Sequence, residues 1–159
     1  DPHRETVGEL IRHIAADLAR RLDQVKQLTR QLRAVMPPAG EALMRLDGIG
    51  VVTAAQILAE VAGSDGFATE AKMAAWSGIA PLDASSGRQQ RHRLNRGGNR
   101  RANRAVHTMI TTQLRHRGEA ADYITRRIQE GKTRKEAIRA AKRYAIRRIW
   151  KTLHTHGLT

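Results

Sequence analysis

Nine apolar residues, Val7, Ile11, Ile14, Leu18, Leu22, Val25, Leu28, Leu32 and Val35, cross 28 positions in eight steps before two consecutive prolines stop the pattern. A mean step of about 3.5 residues is the coiled-coil period, shorter than the 3.6 of a straight helix. The stripe predicts one long helix over Thr6 to Met36 that needs a partner, either the same helix of a second chain or the chain's own core. Pro37 and Pro38 supply no amide hydrogen and push the residue before them out of the α region, so the helix ends there. The chain therefore divides into a coiled-coil-like helix, residues 1–38, and a second part, residues 39–159.

Composition decides what the second part can be. Among 159 residues, 40% are hydrophobic but only 3% aromatic, so a core must be packed from Ala, Ile, Leu, Val and Met. Alanine-rich patterns with few alternating β-branched runs favour close-packed helices, and an all-α domain is expected. Cysteine is absent, which excludes a disulfide frame, thiolate metal ligands and a cysteine nucleophile. No apolar run approaches the roughly 18 residues that span a bilayer, and nothing at the start reads as a signal peptide. A bacterial cytoplasmic, nucleoid-associated protein without a membrane partner is the expectation.

The charge is concentrated. From Ala84 to Gly118 there is no Asp or Glu, yet nine arginines occur: Arg88, Arg91, Arg93, Arg96, Arg100, Arg101, Arg104, Arg115 and Arg117. The guanidinium fork grips two phosphate oxygens where an ammonium offers a point charge, and the chain carries a net charge of +14. Nucleic acid is the partner that such a stretch fits best, ahead of anionic lipid, for which the helices lack a bulky apolar face. Like charges without their phosphate counterpart repel, so a mobile segment is expected over 83–98.

Around this stretch the punctuation predicts helices. Residues Ala42 to Val61, with Asp47-Gly48-Ile49-Gly50 between two apolar runs, read as a helix-hairpin-helix. Gly48 and Gly50 permit a sharp turn and expose the amides that open the second helix, which can hold a DNA phosphate without reading sequence. Ile49 would plug the hairpin and Ala54 would let the helices approach. A short helix follows over Thr69 to Trp76, closed by Gly78 and Pro81, then a basic turn at Leu94 to Gly98 and a helix over Asn99 to His116. The last helix opens on a capping box, Thr133 with Glu136, and carries Ile138, Ala141, Ala145, Ile149 and Leu153 inside a sleeve of Arg139, Lys142, Arg143, Arg147, Arg148 and Lys151 that reads as a solvated face. Trp76, Trp150, Tyr123 and Tyr144 are spread along helices and read as core or groove fillers, not base stackers. His92, His107 and His116 lack the i, i+4 spacing of a helical zinc pair, so no metal site is expected.

Five motifs fall in one order: Leu46-Asp47-Gly48-Ile49-Gly50 leading to Thr53-Ala54, Gly78-Ile79-Ala80-Pro81, Ser86-Gly87, Arg96-Gly97-Gly98-Asn99-Arg100, and Gly131 to Ile138. This order resembles the C-terminal transposase domain of the Piv-type (DEDD) insertion-sequence transposases, the bridge-RNA-guided serine recombinases, over nearly all of residues 40 to 153. The resemblance implies DNA transposition, with Ser86 as the nucleophile that forms a covalent phosphoserine link to DNA; Ser85 is an adjacent rival. It further implies that Gly48, Gly50, Arg88, Arg91, Arg93, Arg96, Gly98, Asn99, Arg100, Arg101 and Arg104 hold nucleic acid. Family enzymes begin with a ribonuclease-H-like domain whose four carboxylates bind divalent metal, and nothing in this chain matches it. No cofactor is expected here, magnesium is expected in that missing domain, and the fragment is expected to be inactive alone. DNA, guide RNA and a second copy joined through the first helix are the implied partners. The competing reading is a non-catalytic helix-hairpin-helix module that binds DNA or RNA by phosphate contacts alone.

Overall fold

The computed structural model describes residues 2–83, 92, 93, 95 and 97–158, and it is all-α apart from one minimal ribbon. Seven helices are present among these residues: α1 (Pro2–Ala34), α2 (Pro38–Met44), α3 (Val51–Ala62), α4 (Glu70–Trp76), α5 (Arg100–Arg115), α6 (Glu119–Gln129) and α7 (Arg134–Thr155). Strands β1 (Leu82–Asp83) and β2 (His92–Arg93) pair antiparallel, with Leu82 opposite Arg93 and Asp83 opposite His92. The chain separates into two compact units, residues 1–35 and residues 36–159.

The first unit is α1 itself. Its polar flank carries short-range pairs, Arg20 and Arg21 on Asp17 at 2.9 and 2.8 Å and Lys26 on Asp23 at 3.2 Å. Such exposed pairs add only a few tenths of a kcal/mol each. The apolar stripe is uncovered: Val7, Ile11, Ile14, Leu18, Leu22, Val25 and Leu28 are all at least 42% exposed. The core of the second unit is drawn from residues between Met36 and Leu153.

In the second unit the central element is α7, which packs against α2, α4, α5 and α6. Its fully buried Ile146, Ile149 and Leu153 meet Leu43, Met73, Val106 and Met109 in one cluster. Burying a side chain of this size contributes about 1.5–3 kcal/mol, so a core without many aromatics is sufficient. Alanines at 54, 74, 105, 137, 141 and 145 are buried and keep the helix axes close. Phe67 and Trp76 pack at 4.8 Å between ring centroids, and Trp150 Nε1 donates to Phe67 O at 2.8 Å, so both tryptophans act as fillers.

The predicted capping box forms, and α4 gains a side-chain cap besides. Thr69 accepts from Lys72 N at the start of α4, and Thr133 and Glu136 exchange bonds as a capping box on α7. Pro38 does more than end α1: it opens α2 at N1, where a missing amide hydrogen has no cost. Helix α6 is an addition to the sequence expectation. It lies between Gly118 and Gly131 without a side-chain cap, and Ala120, Ile124 and the partly buried Tyr123 carry its inner face.

Candidate nucleic-acid interface

Two glycines of the Asp47–Gly50 hairpin have different reasons to be glycine. Gly48 has φ +82°, and a Cβ there would come within 2.5 Å of Met109 O, so the fold itself demands it. Gly50 has φ −95° and ψ 178°, ordinary extended backbone, and nothing lies within 4 Å of where its Cβ would be. It is the N-cap of α3, exposed, and makes no side-chain cap bond. The first amides of a helix have no partner within it, so α3 opens onto solvent with its positive dipole end and no side chain in the way. Ile49 is buried beneath the turn, as expected of a plug. Asp47 is drawn the other way: its carboxylate meets His116 Nε2 at 2.8 Å, and its carbonyl accepts from the buried Gln113 Nε2 at 2.7 Å.

The amino end of α5 is a second site with its own internal bonds. Asn99 is the N-cap, accepting on Oδ1 from the amides of Arg101 and Ala102 at 3.0 and 2.9 Å. Its Nδ2 donates to Glu60 at 2.8 Å, and Arg101 Nε pairs with the same carboxylate at 2.8 Å. Both side-chain ends of Asn99 are thereby spent inside the fold. Gly98 is required by packing, because a Cβ on it would overlap the backbone of Ser77 and Gly78. Arg100 and Arg104, one turn apart, are exposed, and no carboxylate of the described residues pairs with either.

These two ends are far apart. Gly48 and Asp47 touch α5 at Met109 and Gln113, whereas Gln56 and Glu60, later in α3, touch Arg101 and Asn99. Helices α3 and α5 are therefore antiparallel, and the ten residues from Gly50 to Glu60 separate the hairpin from the arginines by about 15 Å. The structure does not gather Gly48, Gly50, Arg100, Arg101 and Arg104 into one patch; it sets the two glycines and the three arginines at opposite ends of a helix pair. Arg93 stands in β2, beside the turn in which Asn95 Oδ1 accepts from Gly97 N at 3.0 Å. Ser85, Ser86, Arg88, Arg91 and Arg96, and most of the segment expected to be mobile, lie outside the described residues.

The α7 sleeve is the expected solvated face at Arg139, Arg147, Arg148 and Lys151 and departs from it at Lys142 and Arg143. Arg143 and Arg147 pair with Glu70 of α4, Arg147 at 3.4 Å, and Arg148 pairs with Glu119 of α6. Hydrogen bonding from Arg143 is the main cause that holds the Glu70 carboxyl below its ordinary range. Lys142 is buried, and Nζ donates to Asn103 Oδ1, whose Nδ2 donates in turn to Ser77 O at 2.8 Å. Its register gave the signal: Lys142 lies four residues from both Ile138 and Ile146, on the inner stripe. Glu60 and Gln113 also escaped sequence reasoning, since a lone polar residue within a helical pattern does not say what it will meet.

Comparison with known proteins gives the chain its place. The family model for the transposase IS116/IS110/IS902 family matches residues 40–125. A protein of insertion element IS110 from Streptomyces coelicolor is 29% identical over 140 residues, covering 86% of this chain and 35% of the relative. A probable family 20 transposase from Pseudomonas aeruginosa is 33% identical over 89 residues, covering 54% and 26%. A protein of insertion element IS116 from Streptomyces clavuligerus is 26% identical over 153 residues, covering 91% and 38%. The chain thus spans well under half the length of the curated relatives it matches. With more than half of its residues inside that family model, and with the hairpin and the α5 cap both within the matched span, this chain belongs to the transposase IS116/IS110/IS902 family.

Proposed function

We propose that this chain is the domain of a transposase that holds the DNA backbone and presents a serine nucleophile to it. The observation that carries the reading is Gly50: an open N-terminus on a 12-residue helix, at a glycine the fold does not itself require. Phosphate held there by backbone amides and the helix dipole is bound without regard to sequence. Arg100 and Arg104, about 15 Å away along the α3–α5 pair, take a second stretch of backbone. The uncovered 3.5-residue stripe of α1 supports pairing with a second copy.

The chemistry rests on the resemblance to Piv-type, bridge-RNA-guided recombinases. Ser86 attacks a DNA phosphorus through its hydroxyl oxygen, and one phosphoester bond of the strand breaks. The leaving strand end takes up a proton as an alcohol, while the serine proton passes to a base. Cations of the 88–104 stretch offset the charge that builds on the phosphorus centre. On the same resemblance, magnesium belongs with a ribonuclease-H-like domain of the family enzymes. Joining the chain to that domain with guide RNA, magnesium and target DNA tests the reading on denaturing gels. A protein-DNA adduct lost on Ser86→Ala is expected. An adduct indifferent to that change contradicts the serine assignment, and no adduct from any combination favours the phosphate-binding module.

A further inference from the structure

A cavity of about 700 Å³ lies beside the mouth of the β1–β2 ribbon, between the Gly78–Pro81 turn and the facing sides of α6 and α7. Its volume is within the usual range for a small-ligand site. Six cations line it, Arg127, Lys132, Arg139, Lys142, Arg143 and Arg147, against a single carboxylate, Glu136. Several are already engaged: Arg143 and Arg147 by Glu70, Arg127 by Glu130, and Glu136 itself by its capping bonds to Thr133. Lys132, Arg139 and Lys142 remain without an ion pair among the described residues. Lys142 is the sharpest case, a buried ammonium whose partner in the fold is an amide oxygen and not an anion. Burial depresses its pKa to about 8, which means that the fold tolerates this charge without satisfying it.

The other half of the cavity is aromatic. Tyr123 of α6 and Tyr144 of α7 both line it, with ring centroids 5.4 Å apart and Tyr144 59% exposed. Two helices thus bring together rings that lie 21 residues apart in sequence, beside the unpaired cations. A phosphate needs the second group and a nucleobase the first. We propose that this cavity takes one unpaired nucleotide of a nucleic-acid strand, its phosphate on Lys142 and Arg139 and its base against the Tyr123–Tyr144 pair. A duplex cannot enter such a volume with its bases stacked, so the occupant is a base already out of the helix. Pro81 and Asn95, which also line the cavity, bracket in sequence the segment that carries Ser86. The inference rests on the nucleic-acid reading of the chain, and it adds a site for an unpaired base to one for duplex backbone.

Fluorescence anisotropy on the 159-residue chain separates the two, using a plain DNA duplex, the same duplex with a one-nucleotide bulge, single-stranded DNA and RNA 12-mers, and a free mononucleotide as competitor. The expected result is about fivefold or greater preference for the bulged over the plain duplex, the size of one stacked base. Lys142→Met and Tyr144→Ala, the second at an exposed position that leaves the core intact, each abolish that preference and leave plain-duplex affinity unchanged. The relative affinities of the two 12-mers tell which strand is the natural occupant. Equal affinity for bulged and plain duplex, or a preference that survives both variants, overturns the proposal while leaving duplex binding in place. Competition by the mononucleotide as effective as by a 12-mer overturns the assignment to a strand. No binding of any strand overturns the proposal together with the nucleic-acid reading, and loss of the plain duplex alone, with the bulged probe still bound, counts against duplex binding only.

Discussion

The amino end of α5 and the middle of α7 are both rich in cations, yet the fold houses their charges in opposite ways. Arg100 and Arg104 stand in solvent on a helix whose cap, Asn99, is fully committed to the fold. Lys142 is inside, paired with an amide, and faces a cavity. An exposed arginine is cheap to keep and is free to follow a flexible polyanion. A buried ammonium costs stability whenever no anion is present, and such local violations concentrate where a protein binds something. The α5 end suits the outside of a duplex, and the α7 cavity suits a group that comes in.

The sharpest break of this contrast is at Gly98. Gly98→Val forces a side chain into the Ser77–Gly78 backbone and is expected to cost about 3 kcal/mol in urea unfolding, collapsing the α5 end while Gly50→Asp does not. Next comes Lys142→Met, expected to stabilise the fold by about 1–3 kcal/mol at pH 7. Its pH dependence has a definite sign. Below about pH 8 Lys142 is protonated in both states and the burial cost is complete. Between that value and 10.5 the unfolded chain binds more protons, so wild-type stability rises relative to the variant. The gain from Lys142→Met should shrink toward zero as pH climbs through this window, and a constant gain would mean that Lys142 is not the group paying for burial. His107, whose pKa burial lowers first and Lys142 second, should titrate closer to its ordinary value in the same variant by NMR.

Smaller effects sharpen the comparison. Asn99→Ala removes a helix cap and the link to Glu60, and about 1–2 kcal/mol of stability should go with it. If affinity for DNA falls without that loss, Asn99 touches phosphate after all. Arg100→Ala with Arg104→Ala should leave stability within about 0.5 kcal/mol. The same pair should lower the slope of log affinity against log salt by about two, one for each phosphate contact, equally for unrelated sequences.

Much of the architecture was legible because it is written in local signals. The prolines at 37 and 38, the capping box at Thr133 and Glu136, the glycine stops and the 3.5-residue stripe are each decided by a few neighbouring residues, and each reappears in the fold. The glycine turn between α2 and α3 was legible too, but not the separate reasons for its glycines: the positive φ of Gly48 and the approach of Met109 distinguish it from Gly50. What sequence could not supply was which elements meet. The antiparallel packing of α3 on α5 puts the hairpin and the arginines at opposite ends, and Glu60 engages both Asn99 and the exposed Arg101. The meeting of α6 with α7 turns two scattered tyrosines into a pair and a sleeve lysine into a buried charge. These are long-range facts, and periodicity carries no information about them.

A double-mutant cycle on duplex DNA reads both of the proposed backbone contacts at the ends of the α3–α5 pair. Gly50→Asp keeps a good N-cap, so stability holds, but it sets a carboxylate where phosphate would sit. When it is combined with Arg100→Ala and Arg104→Ala, each change is expected to weaken duplex binding and the losses to add, as for sites about 15 Å apart. Full affinity in the folded Gly50→Asp protein, or losses that fail to add, would contradict the two contacts.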